Sequence, residues 1–265
     1  MSTGLVRELS PTPVSLEELN VRARLVTRVC RKYLVPAQIL SGILSGILAV
    51  PGERLGVLTI GGRDSFRYSS TYFDTPELGS FRAHRQGRRR RYKARVRTYV
   101  DTGTRLFEVK LKGNRGLTDK VRIGHEGPSH VLPRASRAFL DSTLEGYGLV
   151  APPVLAPSAV TDYRRSTLVS PSGTERLTLD TELVGRRDGR EVRMRPDLVL
   201  LEVKTRGGFT PTERRLHAHG FREVTFSKYA ATLVSLVPQL SGNRWIRASS
   251  ACLERSVLRA RPCFT

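Results

Sequence analysis

Apolar and polar positions alternate with a period of two along much of this chain, the period that sends successive side chains to opposite faces of a β-strand. Residues 88–99 are the clearest case. Arg89, Arg91, Lys93, Arg95 and Arg97 fall on one face, with Tyr92, Ala94 and Val96 on the other. Residues 105–112 repeat the pattern, with Glu108, Lys110 and Lys112 opposite Phe107, Val109 and Leu111. Residues 120–123 alternate again, as do 68–73 and 163–168. In 176–183, Arg176, Thr178, Asp180 and Glu182 oppose Leu177, Leu179 and Leu183; in 198–204, Glu202 and Lys204 oppose Val199, Leu201 and Val203. Residues 29–35 read as a first strand. Turn signals punctuate the series at Gly61-Gly62, Asp74-Thr75-Pro76, Asp101-Thr102-Gly103-Thr104 and Asn114-Arg115-Gly116.

Helical stretches fall between and after the strands. Ser15-Leu16-Glu17-Glu18 has a helix-start composition and leads into residues 19–28; Pro36 opens a helix over 37–48. A short helical piece at 77–83, a longer one within 130–147, and helices over 212–219, 227–240 and 251–260 complete the reading. The expected layout is a loose tail over 1–14, one domain over 15–245 and a helical tail over 246–265, in the α+β class. Residues 152–157, with three prolines, read as a linker inside the domain.

A strand with charge on one face and aliphatic side chains on the other has two homes. In a sandwich the apolar faces meet and the charges look outward. In a closed barrel the charges line the lumen and helices cover the apolar exterior. Periodicity leaves both open. Same-face cations two residues apart lie about 7 Å from each other, a repulsion of roughly 2 kcal/mol at an effective dielectric of 20. Such a row persists if it holds a polyanion or if solvent screens it.

Composition sharpens the first option. The 265 residues carry 45 Lys and Arg against 24 Asp and Glu, a net charge of +21, most of the cations being arginine. Arginine favours bidentate phosphate contacts, although such a surplus also solvates a surface. The three cysteines, Cys30, Cys252 and Cys263, have neither metal-ligand spacing nor a disulfide framework, and the five histidines form no constellation. His217 and His219 read as surface residues. No apolar run is long enough for a membrane span and no signal peptide is visible, so the expectation is a cytoplasmic protein without membrane insertion.

The stretch Ser69-Ser70-Thr71-Tyr72-Phe73-Asp74-Thr75-Pro76 resembles the YFDT signature of the CYTH-like triphosphate tunnel superfamily. Arg95-Val96-Arg97, Phe107-Glu108-Val109-Lys110, Lys120-Val121-Arg122, Tyr163-Arg164-Arg165, Leu179-Asp180-Thr181-Glu182-Leu183, Leu201-Glu202-Val203-Lys204 and Phe226-Ser227-Lys228-Tyr229 follow in family order. Together they resemble the VTC domain, the catalytic domain of polyphosphate polymerases. The resemblance implies an antiparallel β-barrel, its lumen a basic tunnel, with helices packed around the outside. It implies transfer of the ATP γ-phosphate to inorganic polyphosphate, with Mn²⁺ or Mg²⁺ at Glu202. By motif position Arg95, Arg97, Lys110, Lys120 and Arg165 would be the catalytic cations. Lys32, Arg91, Lys93, Arg122, Lys204 and Lys228 would complete the phosphate-binding set.

Two departures matter. Tunnel cyclases and triphosphatases carry an E-x-E-x-K strand where this chain reads Arg28-Val29-Cys30-Arg31-Lys32, which favours the polymerase branch. Where eukaryotic polymerases have a lysine before Phe-Ser-Lys, this chain has Thr225. The alternatives are a triphosphatase in the same tunnel and a non-catalytic module binding polyphosphate or, less favoured, nucleic acid. Glu108, Asp180 and Glu182 are left as metal contacts or as neutralising partners of lumen cations. Arg88 and Arg90 are left as catalytic or merely solvated, and the oligomeric state stays open.

Overall fold

The computed structural model describes residues 6, 9–22, 29–48, 55–112, 118–170, 172–240 and 245–255. The expected turn at Asn114-Arg115-Gly116, the first helix beyond Arg22, the last helix beyond Arg255 and Cys263 lie outside the described residues.

Eight antiparallel strands make the main run of the sheet, in the order β2 (Val29–Pro36), β11 (Leu198–Thr205), β9 (Glu175–Arg187), β8 (Ala156–Val169), β4 (Phe66–Asp74), β5 (Arg91–Tyr99), β6 (Arg105–Lys112) and β7 (Thr118–Gly124). β9 changes partners along its length: its first half pairs with β11 and its last residues with β10 (Arg190–Met194), which carries β12 (Leu253–Arg255). Two short strands, β1 (Thr12–Val14) and β3 (Gly56–Leu58), pair in parallel and attach to the end of β8.

No pairing joins β2 to β7 among the described residues, so the barrel expected from the sequence is an open one, with a seam between these two strands. The sheet nevertheless curls far enough that Lys32 of β2 and Lys110 of β6 feel each other's charge. The segment 221–227 runs beside the seam, where the Val224 N–H donates to the Lys32 carbonyl at 2.8 Å.

Apolar faces point outward under helices, as a barrel requires and a sandwich does not. α2 (Ala37–Leu48) repeats Leu40, Ile43, Leu44 and Ile47 at helical spacing. With Leu216 of α5 (Pro211–Ala218) they pack on Tyr33, Val35, Leu177, Leu179, Val199, Leu201 and Val203. α5 starts where Thr210 and Glu213 form a reciprocal capping box ahead of Pro211. On the other flank α4 (Arg134–Gly146) lays Leu140 and Leu144 on Ala94, Val96, Phe107, Val109 and Leu111. Each such side chain, fully buried, contributes about 1.5–3 kcal/mol.

Helices also cover part of the inner face. Tyr229, Ala230 and Leu233 of α6 (Lys228–Leu236) pack on inward Tyr72 and Ala159 and on Phe81 of α3 (Gly79–Arg85). Ala231 meets Tyr163, Leu183 and Leu200, with α7 (Ile246–Cys252) behind through Ala248 and Cys252.

Several boundaries differ from expectation. Thr12–Val14, expected in a loose tail, is a strand, and α1 (Leu16–Arg22) follows with Ser15 and Glu18 capping each other. The arginine strand begins at Arg91, so Arg88, Arg89 and Arg90 form an exposed loop. β8 starts inside the expected linker. The last helix ends at Cys252 and the chain becomes a strand, because Leu253–Arg255 finds the free edge of β10.

Candidate functional site

Register assembles the site. Tyr92, Ala94 and Val96 of β5 belong to the outer core, which turns Arg91, Lys93, Arg95 and Arg97 inward. Directly opposed residues share a face, and these face Lys112, Lys110, Glu108 and Leu106 of β6. Lys120 and Arg122 of β7 extend the rows from Lys110 and Glu108. From the far wall, Arg165 pairs with Asp180, Glu202 lies between Thr178 and Lys32, and Lys204 between Arg176 and Cys30. The structure thus brings all twelve sequence-designated residues to one concave face or, for Lys228, to the first position of α6.

The cations are organised by two buried carboxylates. Glu108, 1% exposed, accepts from Arg95 Nε and Nη2 at 2.9 and 2.6 Å and from Lys120 at 3.0 Å, with Arg97 Nε at 3.9 Å. Burial alone would raise its pKa; Arg95, Arg97 and Lys120 overcome that and hold it well below the usual carboxylate range. Asp180, equally buried, takes Arg165 bidentately at 2.6 and 2.7 Å and also accepts from Lys228. There too the cations outweigh burial, leaving its pKa at about 2.

Aromatic rings form the floor under the guanidiniums. Arg95 donates to the Tyr72 hydroxyl at 3.1 Å and Arg97 to the Tyr163 hydroxyl at 2.8 Å. Arg165 lies over Tyr68 and Tyr163, and Lys228 Nζ sits 4.3 Å from the Tyr163 ring centre. Beside Arg97, its own Nε and the hydroxyls of Ser70 and Thr161 are buried without a hydrogen-bond partner. An unmet buried donor costs about 1–3 kcal/mol.

The lysines are less neutralised. Lys32 donates to the Phe226 carbonyl at 2.9 Å and Lys93 to Ser227 Oγ at 3.3 Å, both at the start of α6. No ion pair among the described residues includes Lys32, Lys93 or Lys110. Burial, then Lys110, Lys32 and Arg91, push the Lys93 ammonium well below its ordinary pKa. Lys110 remains open to solvent, yet its walls and Lys32 lower it too. Lys120 is lowered by burial to about 8, its Glu108 contact restoring part of the loss. A multivalent anion would reverse these shifts.

Glu202 Oε1 accepts from the Lys204 ammonium at 2.6 Å. Lys204, Lys32 and Arg165 overcome its burial and keep it ionised. No cluster of three or more His, Cys, Asp or Glu stands ready for a metal among the described residues. One ionised carboxylate does fit Mg²⁺ or Mn²⁺ of the kind carried in by phosphate oxygens, which needs only one or two protein ligands.

Other motif residues turn out to be structural. Asp74 accepts from Thr75 N, Ser80 N, Phe81 N and the Tyr229 hydroxyl, tying β4, α3 and α6 together. Glu182 adopts a positive φ of 54°, which breaks the alternation, sends its side chain out to Arg164 and turns Leu183 inward. It leaves the candidate site. The organising roles of Glu108, Asp180 and the tyrosines were not resolved by sequence; their shared parity with the cations was the available signal.

The family model for the VTC domain matches residues 27–237. No curated protein matches the chain. Among solved structures, a candidate adenylate cyclase of Bacillus halodurans is 14% identical, covering 76% of this chain and 93% of its own, with a TM-score of 0.44. A second, from Vibrio parahaemolyticus, is 16% identical over 78% and 97%, with a TM-score of 0.42. A candidate adenylyl cyclase of Hippeastrum, described as having a dominant triphosphatase activity, is 13% identical over 82% and 100%, with a TM-score of 0.39.

Proposed function

Because the chain belongs to the VTC domain family, we propose that it is a metal-dependent polyphosphate polymerase. It transfers the γ-phosphate of ATP to the end of an inorganic polyphosphate chain held on the cationic face. The observation that carries this reading is the inventory of inward carboxylates. Glu108 and Asp180 are saturated by five cations, leaving Glu202 with Lys204. Of the two positions where tunnel hydrolases and cyclases carry glutamates, one is Cys30, opposite Lys204, and the other, Arg28, lies outside the described residues; Lys32, opposite Glu202, stands at the lysine position of that pattern.

Phosphoryl transfer needs positioning and charge stabilisation more than covalent chemistry. A terminal phosphate oxygen of the acceptor attacks the γ-phosphorus, the bond to the β-phosphate oxygen breaks, and ADP leaves; no side-chain nucleophile or base is required. Arg95, Arg97 and Arg165, already oriented by Glu108, Asp180 and the tyrosines, hold the equatorial oxygens. Lys32, Lys93, Lys110, Lys120 and Lys228 grip the neighbouring phosphates, with Arg91, Arg122 and Lys204 towards the ends of the rows. A divalent ion carried with the phosphates would be held by Glu202 and would neutralise charge on the transferred group.

The test incubates the protein with ATP and Mn²⁺ beside Glu202→Gln and Arg95→Ala, following ADP, free phosphate and gel-resolved polyphosphate. Chains with stoichiometric ADP, reduced about 10²–10³-fold in Arg95→Ala, are expected. Phosphate without chains identifies a hydrolase, and neither product identifies a binding module; both outcomes end the polymerase reading.

A further inference from the structure

The inward row of β5 is Arg97, Arg95, Lys93 and Arg91, and the exposed loop at 88–90 continues the run of arginines in sequence ahead of it. Arg91 Nη1 bonds back to the Arg88 carbonyl, so the last lumen arginine and the loop are held together. Gly87, at a φ of 69°, lets the chain reverse from α3 into this loop. α3 lies beside the same end of the lumen, since His84 is within electrostatic reach of Lys93, Arg91 and Lys110. On its exposed side α3 carries Arg82.

Charge on this ledge is uncompensated locally. Between Glu77 and Asp101 the sequence has no carboxylate. No ion pair among the described residues includes Arg82, Arg88 or Arg89; the one side-chain bond of Arg88 goes to Gln86. With Arg91 beside them, they place a run of positive charge next to the cationic lumen face.

We propose that Arg82, Arg88 and Arg89 form an external ledge that binds the part of an inorganic polyphosphate chain extending beyond the lumen. The inference rests on the tunnel reading above and adds a subsite that distinguishes long chains from short ones. Triphosphate, held within the lumen, does not reach the ledge; a chain of many phosphates does.

The experiment measures binding of tripolyphosphate and of long-chain polyphosphate to wild type and to Arg82→Ala/Arg88→Ala/Arg89→Ala, across a salt series. These exposed positions are outside the packed core, and the unchanged tripolyphosphate affinity doubles as the check on folding. Long-chain affinity is expected to fall about tenfold, as three exposed ionic contacts would give. Its log–log salt slope should shrink by about 2, for three fewer neutralised phosphates on a single-stranded polyanion. Equal losses for both ligands, or no loss for either, each overturn the ledge. Wild type that binds neither phosphate ligand overturns the tunnel reading instead, so the two failures are separable.

Discussion

Glu108 opposes one carboxylate to Arg95, Arg97 and Lys120, so its removal leaves three cations facing one another. Taking one partner from a buried ionic cluster costs about 3–5 kcal/mol. We therefore expect Glu108→Gln to lose about 3 kcal/mol of stability without ligand, and much less with saturating tripolyphosphate, which supplies the missing negative charge. Urea unfolding with and without ligand measures both; an equal deficit in the two conditions would show that Glu108 does not stand in for a phosphate. Lys120 gives a pH signature. Its ammonium is charged below about 8 and neutral above, so tripolyphosphate affinity should fall as pH rises from about 7 to about 9, and Lys120→Arg should flatten that fall because arginine stays protonated. The free protein should respond with the opposite sign. Between about 8 and the lysine's unfolded value near 10.4 the unfolded chain binds the extra proton, so stability rises with pH. Affinity that is flat across this window in wild type would remove Lys120 from the site.

At the scale of elements, α6 positions more of the site than any other helix. Its first residues hold Lys32 and Lys93 through Phe226 and Ser227, its Lys228 bonds Asp180, and Tyr229 anchors it to Asp74 and Ser158. Asp74→Ala loses a helix cap, worth about 0.5–2 kcal/mol, and one of the two partners of the buried Tyr229 hydroxyl, about 0.5–1.5 kcal/mol more, while Ser158 keeps the other. We expect a total of about 2 kcal/mol in thermal or urea unfolding. Tripolyphosphate affinity, measured where the protein is folded, should stay within about twofold because the lumen cations keep their partners. A large loss of affinity with stability intact would instead make Asp74 a ligand contact. Elements were legible where pattern and period agreed: α2 and β6 lie where alternation and helical spacing place them. β1, β3 and β10 were not, since three to five residues carry too little period to register. The Asp188-Gly189 turn, with positive φ at both residues, was nevertheless a readable hairpin signal. The positive φ at Glu182 flipped one face of β9, and no composition cue announces a glutamate there. The site was legible as parity: every inward cation was assigned from alternation or motif. Which carboxylate neutralises which cation was not, because that depends on neighbouring strands, and on a helix residue 48 positions from its partner, meeting in space.

For the whole molecule the governing quantity is a surplus of 21 positive charges, part of it concentrated on one concave face with too few carboxylates to offset it. Folding therefore brings together charges that repel, and two agents can relieve them: mobile counterions and a bound polyanion. The two relieve the same repulsion, so they compete. Raising NaCl shortens the Debye length from about 10 Å at 0.1 M to about 3 Å at 1 M, which should raise the melting temperature of the free protein. Tripolyphosphate at 100 times its dissociation constant should add about 2.7 kcal/mol, or roughly 5–10 °C for a chain of this size, at low salt. That increment should shrink as NaCl rises, because the counterions have already removed part of what the ligand relieves and because phosphate binding itself weakens. The two melting curves should thus converge with salt. If the free protein instead melts lower in NaCl while the ligand increment stays constant, the lumen cations are neutralised internally by pairs such as Arg95–Glu108 and Arg165–Asp180. The fold would then gain nothing from a polyanion beyond its local contacts.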